Sequence, residues 1–318
     1  MKRLAAALAL VLAGLLTACA GGRRNSPTAS GPPEAVSLLG APLYARQLPP
    51  DQRQAREADL TAAYSVYQRD PENADAIIWL GRRVAYLDRF GDAIDIFTEG
   101  VRKHPDDPRM YRHRGHRYIT VRRFDEAVQD LQRAANLIAG TPDQVEPDGR
   151  PNAQNIPRST LHFNIWYHLG LAHYLRGDFN RAAYGFRNAL IVSRNDDTRV
   201  SSSEWLYASL RRAGREAEAA AVLEPIRPDM EILENRAYHQ RLLMYKGLVS
   251  PDSLLPPNGQ DAAAVAAHGY GVGNWHLYNG RPEQAEEIFW RVTSAEDWAP
   301  FAYIAAEADL RRILRRRG

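Results

Sequence analysis

The sequence predicts an all-α solenoid assembled from helix–turn–helix repeats, and three observations predict it. Gly, Ala and bulky apolar residues recur at a period of 34 residues through most of the 318-residue chain. The composition, 45% hydrophobic and 25% charged with a mean hydropathy of −0.46, is that of a folded globular chain and leaves no room for several membrane spans. The single cysteine, Cys19, excludes an internal disulfide framework and a Cys-rich zinc module. Charge is nearly balanced, at 41 Lys and Arg against 38 Asp and Glu. Without Lys2 and Arg3 the balance is closer still, and such a body is a poor non-specific nucleic-acid binder.

The first segment, residues 1–18, reads as a processing signal. Lys2 and Arg3 precede a small-or-apolar stretch from Leu4 to Leu16. Thirteen helical residues rise about 20 Å, short of the roughly 30 Å hydrocarbon core. A charged start, a short apolar run and small residues before a cut describe a secretory signal peptide. Leu16-Thr17-Ala18-Cys19 resembles the lipobox of bacterial lipoproteins. That resemblance implies lipidation of Cys19 and cleavage before it, and several acyl chains anchor stably where one is marginal. Ala20, where Asp would favour inner-membrane retention in that family, implies an outer-membrane anchor facing the periplasm. Residues 19–50 carry Gly21-Gly22, Pro27, Pro32-Pro33, Pro42 and Pro49-Pro50, a density that predicts a flexible tether.

A capping helix is expected within residues 51–73, and six repeat units follow. They lie near 74–107, 108–141, 163–196, 200–233, a degenerate 234–265, and 266–299. A Pro-rich insertion spans 137–160, and a second capping helix is expected over 300–316. The marks in the first unit are Leu80-Gly81, Ala93, Phe97 and Pro105; in the third, Trp166, Leu169-Gly170, Ala182 and Phe186. These residues resemble the tetratricopeptide repeat (TPR) pattern, W-x2-L-G-x2-Y, then A-x3-F, then P. The resemblance implies a right-handed superhelix with a concave protein-binding groove. On this pattern Gly81, Gly115, Gly170 and Gly273 allow two helices to approach, and Phe97, Phe186 and Phe289 fill the space between repeats.

No catalytic constellation stands out. Gly269-x-Gly271-x-Gly273 falls inside a repeat helix and is explained by packing. His113 and His116 share a helix face and are weak metal candidates without a third ligand; no dedicated metal or cofactor is expected. Arg114 occupies a position normally taken by Leu, where an unpaired guanidinium would cost several kcal/mol. Asp143, Glu146 or Asp148 of the insertion is its expected partner. The resemblance places Arg82, Tyr86, Arg109, Arg112, His116, Asn164, Tyr167, Tyr174, Arg211 and Arg212 along the groove. It lacks the Lys/Asn set of carboxylate-clamp TPR domains. The expected partner is therefore an extended protein or peptide segment, acidic opposite Arg82, Arg109 and Arg112, and apolar or aromatic opposite Tyr167 and Tyr174. The competing reading is an envelope enzyme, or a binder of a small anion or metal, built on the Arg/His cluster beneath the insertion.

Overall fold

The computed structural model describes residues 31–257 and 261–317; the leader, Cys19 and the first part of the tether lie outside them. A two-stranded antiparallel hairpin comes first, β1 (Ala35–Val36) against β2 (Pro42–Leu43). Fourteen helices follow among the described residues. α1 (Pro50–Arg69) lies beside the first repeat pair, α2 (Ala74–Tyr86) and α3 (Phe90–Lys103). The next pairs are α4 (Pro108–Thr120) with α5 (Phe124–Leu137), α6 (Leu161–Arg176) with α7 (Phe179–Ile191), and α8 (Asp196–Arg212) with the shorter α9 (Glu216–Leu223). α10 (Arg236–Tyr245) and the single turn α11 (Pro251–Leu254) form the degenerate unit. α12 (Ala262–Tyr278) and α13 (Pro282–Thr293) make the last pair, and α14 (Phe301–Arg317) ends the chain. None of these helices is long and apolar enough to cross a membrane.

Local chemistry sets the helix ends. Asn73, Asp107, Thr160, Asn195 and Asp261 each accept a backbone N–H of the following first turn, satisfying donors that have no partner inside the helix. The turn within a pair needs a left-handed residue at repeat position 15. Gly177, Gly214 and Gly280 supply it at φ of +92°, +72° and +74°. In the first two repeats Asp88 (φ 58°) and Arg122 (φ 65°) take that conformation instead, which for a side chain with a Cβ costs about 1–2 kcal/mol. Both are tied down by ion pairs, Asp88 to Arg46 at 2.5 Å and Arg122 to Glu307 at 2.9 Å. The first pair holds the segment after the hairpin and the second holds α14.

Within a pair, the glycine at position 8 of the first helix meets the large side chain sixteen residues later. A Cβ on Gly81 would come within 2.5 Å of the Phe97 ring, on Gly115 within 2.7 Å of Leu131, on Gly170 within 2.9 Å of Phe186, and on Gly273 within 2.6 Å of Phe289. Phe97, Leu131, Phe186 and Phe289 are fully buried as a result. The Gly269, Gly271 and Gly273 series lies wholly within α12, with Val292, Arg241 and Phe289 packed against the three glycines. Most of the interior is one core running from the second repeat to α14, and a smaller core under the first repeat takes in Leu43 and Trp298.

The tether expectation needs correcting over residues 32–49. Leu43 is buried, Arg46 bridges Asp88 and Asp297 at 2.5 Å each, and the Trp298 indole N–H donates to the Tyr44 carbonyl at 2.6 Å. Prolines exclude helix here but not docking in an extended conformation, and contacts from more than 200 positions away hold the segment.

Gly185 is the tightest backbone approach in the third repeat. A methyl group there would lie 2.7 Å from the Gly170 nitrogen and 2.8 Å from its Cα, atoms that cannot rotate away. Gly185→Ala is expected to lower stability in urea unfolding by about 1–3 kcal/mol or more. Gly91→Ala, whose Cβ would meet only a Glu34 carboxylate oxygen at 3.7 Å, is expected to leave stability equal or higher. Equal losses in the two variants would contradict this packing.

Candidate functional site

The expected groove residues of the third repeat onward face inward, but the chain itself covers them. Tyr174 is fully buried, its hydroxyl 2.6 Å from that of Tyr270 of α12, and it accepts from Asn274 Nδ2 at 3.0 Å. The Tyr270 hydroxyl also lies 3.0 Å from Asp309 of α14. Asp309 in turn accepts two parallel bonds from Arg212, both at 2.9 Å, and one from Arg312 at 2.7 Å. Burial pushes the Asp309 carboxyl up, but Arg212 and Arg312 outweigh it and hold the group below the usual carboxylate range. Tyr167 is buried with its hydroxyl 3.1 Å from that of Tyr238. Arg211 donates to Tyr207 and Asn279. His116 packs against His168 at 4.4 Å and against Phe301 of α14 at 5.3 Å. An extended partner along Tyr167, Tyr174 and Arg212 would have to displace α12 and α14, so that part of the expected groove is not an open surface.

The insertion folds back as a strap, with a different pairing from the one expected. Glu146 lies 3.0 Å from Arg112, 3.1 Å from Asn164 and 3.8 Å from His113. The carbonyls of Pro147 and Gly149 accept from Arg82 and Arg83, and Arg158 pairs with the buried Asp197 at 2.9 Å. Asp143 caps the start of α6 by accepting the His162 N–H, and it reaches Arg194 at 3.4 Å. Arg114 takes none of these carboxylates. It makes a two-bond fork to Asp130 of α5 at 2.7 and 2.8 Å. Asp130 stands sixteen residues after Arg114, and the corresponding positions in other repeats hold buried Leu80 with Ile96, and Val272 with Ile288. The second repeat has exchanged an apolar pair for an ion pair in one shared register.

That register, repeated at positions 7 and 23, 8 and 24, and 15, is common to the sequence and the structure. The chain is an all-α helical repeat protein. No family model and no curated protein matches the sequence. Among solved structures, the repeat protein is similar to MamA at 14% identity and a TM-score of 0.42, over 63% of this chain and 89% of that one. It is similar to YrrB, described as a TPR protein with an unusual peptide-binding site, at 14% identity and a TM-score of 0.40, over 78% of this chain and 97% of that one. A kinesin light chain with nearly identical TPR-like repeats, from Podosopora anserina, is similar at 16% identity and a TM-score of 0.41, over 70% of this chain and 95% of that one. Likeness at this level carries no argument about ligand or partner.

What stays open in the repeat protein is the face of the first repeat. A cleft of about 460 Å³ between α1 and α2 is lined by Ala62, Ala63, Val66 and Trp79, with Asp59 and Asp70 at its rim. A second, of about 230 Å³, runs from Trp79 past Arg82 and Arg109 to the strap. Trp79, which sequence reasoning passed over, belongs to both. The Arg82 guanidinium lies over its ring at 4.4 Å. Arg109 is already engaged by Asp75 at 2.5 Å and Asp107 at 2.6 Å, and Arg112 by Glu146. Of the three expected acid-binding arginines, Arg82 alone lacks a carboxylate partner among the described residues. Tyr86 adjoins the strap, its hydroxyl so near Gly149 that a Cβ there would overlap it. Among the described residues no group of three or more His, Cys, Asp or Glu side chains could hold a metal ion.

The buried imidazoles set a pH dependence. Burial, followed by nearby cations such as Arg112 and Arg117, holds His113, His116 and His168 well below the usual histidine range, so all three are neutral in the fold. The unfolded chain takes those protons near pH 6.5, and below that pH it binds more protons than the folded one. Stability is therefore expected to be level above about pH 7 and to fall by about 1.4 kcal/mol per pH unit per histidine from about pH 6.5 to 5. Urea unfolding across that range checks it, and a flat profile would contradict neutral buried imidazoles.

Proposed function

We propose that this protein is a lipid-anchored scaffold of the bacterial cell envelope that binds a protein or peptide partner on the face of its first repeat. One observation carries the choice of face: the concave side of the later repeats is filled by α12 and α14, while two clefts of the first repeat share Trp79. Trp and Arg are the residue types that anchor interfaces, and here an indole is stacked with a guanidinium that has no carboxylate. The partner segment supplies an apolar or aromatic side chain for the Ala62–Val66–Trp79 cleft and an acidic residue for Arg82. Cys19 and the leader before it support the anchor and the outer-membrane, periplasm-facing location.

Crosslinked pull-down from envelope extracts tests the reading. Trp79→Ala and Arg82→Glu are each expected to lower recovery of a specific partner about tenfold or more, while Arg211→Glu, on the far side of the filled bore, recovers it as wild type does. Equal recovery by all three would remove the first-repeat face as the site. Cys19→Ala is expected to move the protein out of the membrane fraction, and unchanged membrane partition of a cleaved, mature form would argue against the anchor.

A further inference from the structure

Between the first and second repeats lies a cavity of about 120 Å³ walled by Arg82, Arg112, Arg117, His113, His116 and Tyr86, with Ala85 and Phe97 as its apolar sides. Cavities near 150 Å³ hold one benzene-sized molecule, so this space suits a phosphate-sized group and is too small for a run of peptide. Its charge is not balanced from within. Against these three arginines the strap brings Glu146, 3.0 Å from Arg112, and Asp148, which acts on Arg82 without an ion-pair contact. Asp88, which also acts on Arg117, has both oxygens bound by Arg46. The histidines are neutral and add no compensating charge.

Donors are left over as well. Among the described residues, the Arg117 guanidinium has no hydrogen bond or ion pair and makes only a face contact with Phe90 at 5.6 Å. Burial, reinforced by Arg112 and Arg82 and only partly offset by Tyr86, holds its pKa down to about 10. Arg112 is buried, and its Nε has no partner. The Arg117 guanidinium is half-buried, and the buried orphan donor of this cluster is Arg112 Nε, whose lack of an acceptor beside two like charges is unfavourable unless an anion supplies one. By contrast, buried Arg122 and Arg241 are each met by an acid of the chain, Glu307 and Glu204.

We propose that the cavity is a binding site for a small free oxyanion of phosphate size, held by Arg82, Arg112 and Arg117. The anion supplies the acceptors that Arg117 and the Arg112 Nε lack. Arg82 also donates to the Pro147 carbonyl, so an occupant that orients Arg82 braces the strap over the first repeat. The cavity shares Arg82 and His113 with the smaller Trp79 cleft, so an anion here and an acidic partner residue there would draw on the same Arg82 guanidinium.

Calorimetric titration of the purified full-length protein with inorganic phosphate, and separately with acetate, tests this. Wild type is expected to bind one phosphate saturably. Arg117→Gln, which removes a charge that has no partner to lose, is expected to bind about tenfold more weakly or worse, with unchanged helicity. Without phosphate, Arg117→Gln is expected to melt above wild type; with saturating phosphate the order reverses. Should Arg117→Gln fail to fold, Arg117→Lys, which keeps the charge and loses the fork, is expected to weaken phosphate binding in the same direction. Absence of saturable binding of either anion, or equal affinity in wild type and variant, would overturn the proposal. Binding of a Glu-containing peptide through Arg117 with no binding of free phosphate would overturn it too, and make the cavity a socket for a partner's side chain.

Discussion

The C-terminal helix carries two carboxylates, Glu307 and Asp309, into an interior that excludes water, and the rest of the architecture is arranged around that constraint. Each would cost several kcal/mol if left alone. Glu307 is met by Arg122, from the turn of the second repeat, and Asp309 by Arg212, from the end of α8, with Arg312 and Tyr270 completing its shell. These pairs join positions 185 and 97 residues apart. Such buried pairs contribute little net stability against apolar substitutes, but a mispaired alternative is strongly unfavourable, so they fix the register of α14 along the bore. Arg122 reaches Glu307 from a left-handed turn where glycine would be easier, and Asp88 does the same for Arg46 one repeat earlier. The strained position of the first two repeats is thus where the segment after the hairpin and α14 are clamped.

Closure changes what a repeat protein of this length can offer. A solenoid exposes its inner stripe until something covers it, and here the cover is the last repeat and the final helix. Binding capacity is left at the opposite end, where α1 contributes no buried residue and leaves the cleft beside Trp79 open. The strap adds a further layer, pinning the second repeat through Glu146 and the first through the Pro147 and Gly149 carbonyls. It meets Arg82 with a backbone acceptor and no carboxylate in ion-pair contact, whereas Arg83 also pairs with Asp59 at 2.9 Å.

The features legible in the sequence are those set by contacts within one repeat. Gly81 with Phe97 and Gly170 with Phe186 are local, sixteen residues apart, and recur, so the period betrays them. The same sixteen-residue register pairs Arg114 with Asp130. Long-range closure left no such mark. Pro-rich residues 32–49 read as a tether because their partners, Asp88, Asp297 and Trp298, are fixed only once the solenoid has curved. α14 reads as an ordinary cap, since Glu307 and Asp309 look like solvated charges until Arg122 and Arg212 are seen opposite them. Trp79, the centre of the open face, occupies no marked repeat position and carried no pattern signal.

The central claim is that the chain fills its own concave face through α14, held by the Asp309 carboxylate. Native-state hydrogen exchange over residues 301–313 in wild type and Asp309→Asn tests it most directly. Leaving Arg212 buried without its counter-charge is expected to cost about 3–5 kcal/mol, so protection of α14 should fall about a hundredfold or more, with the first repeat protected as before. Protection of α14 equal to wild type in that variant would contradict the account.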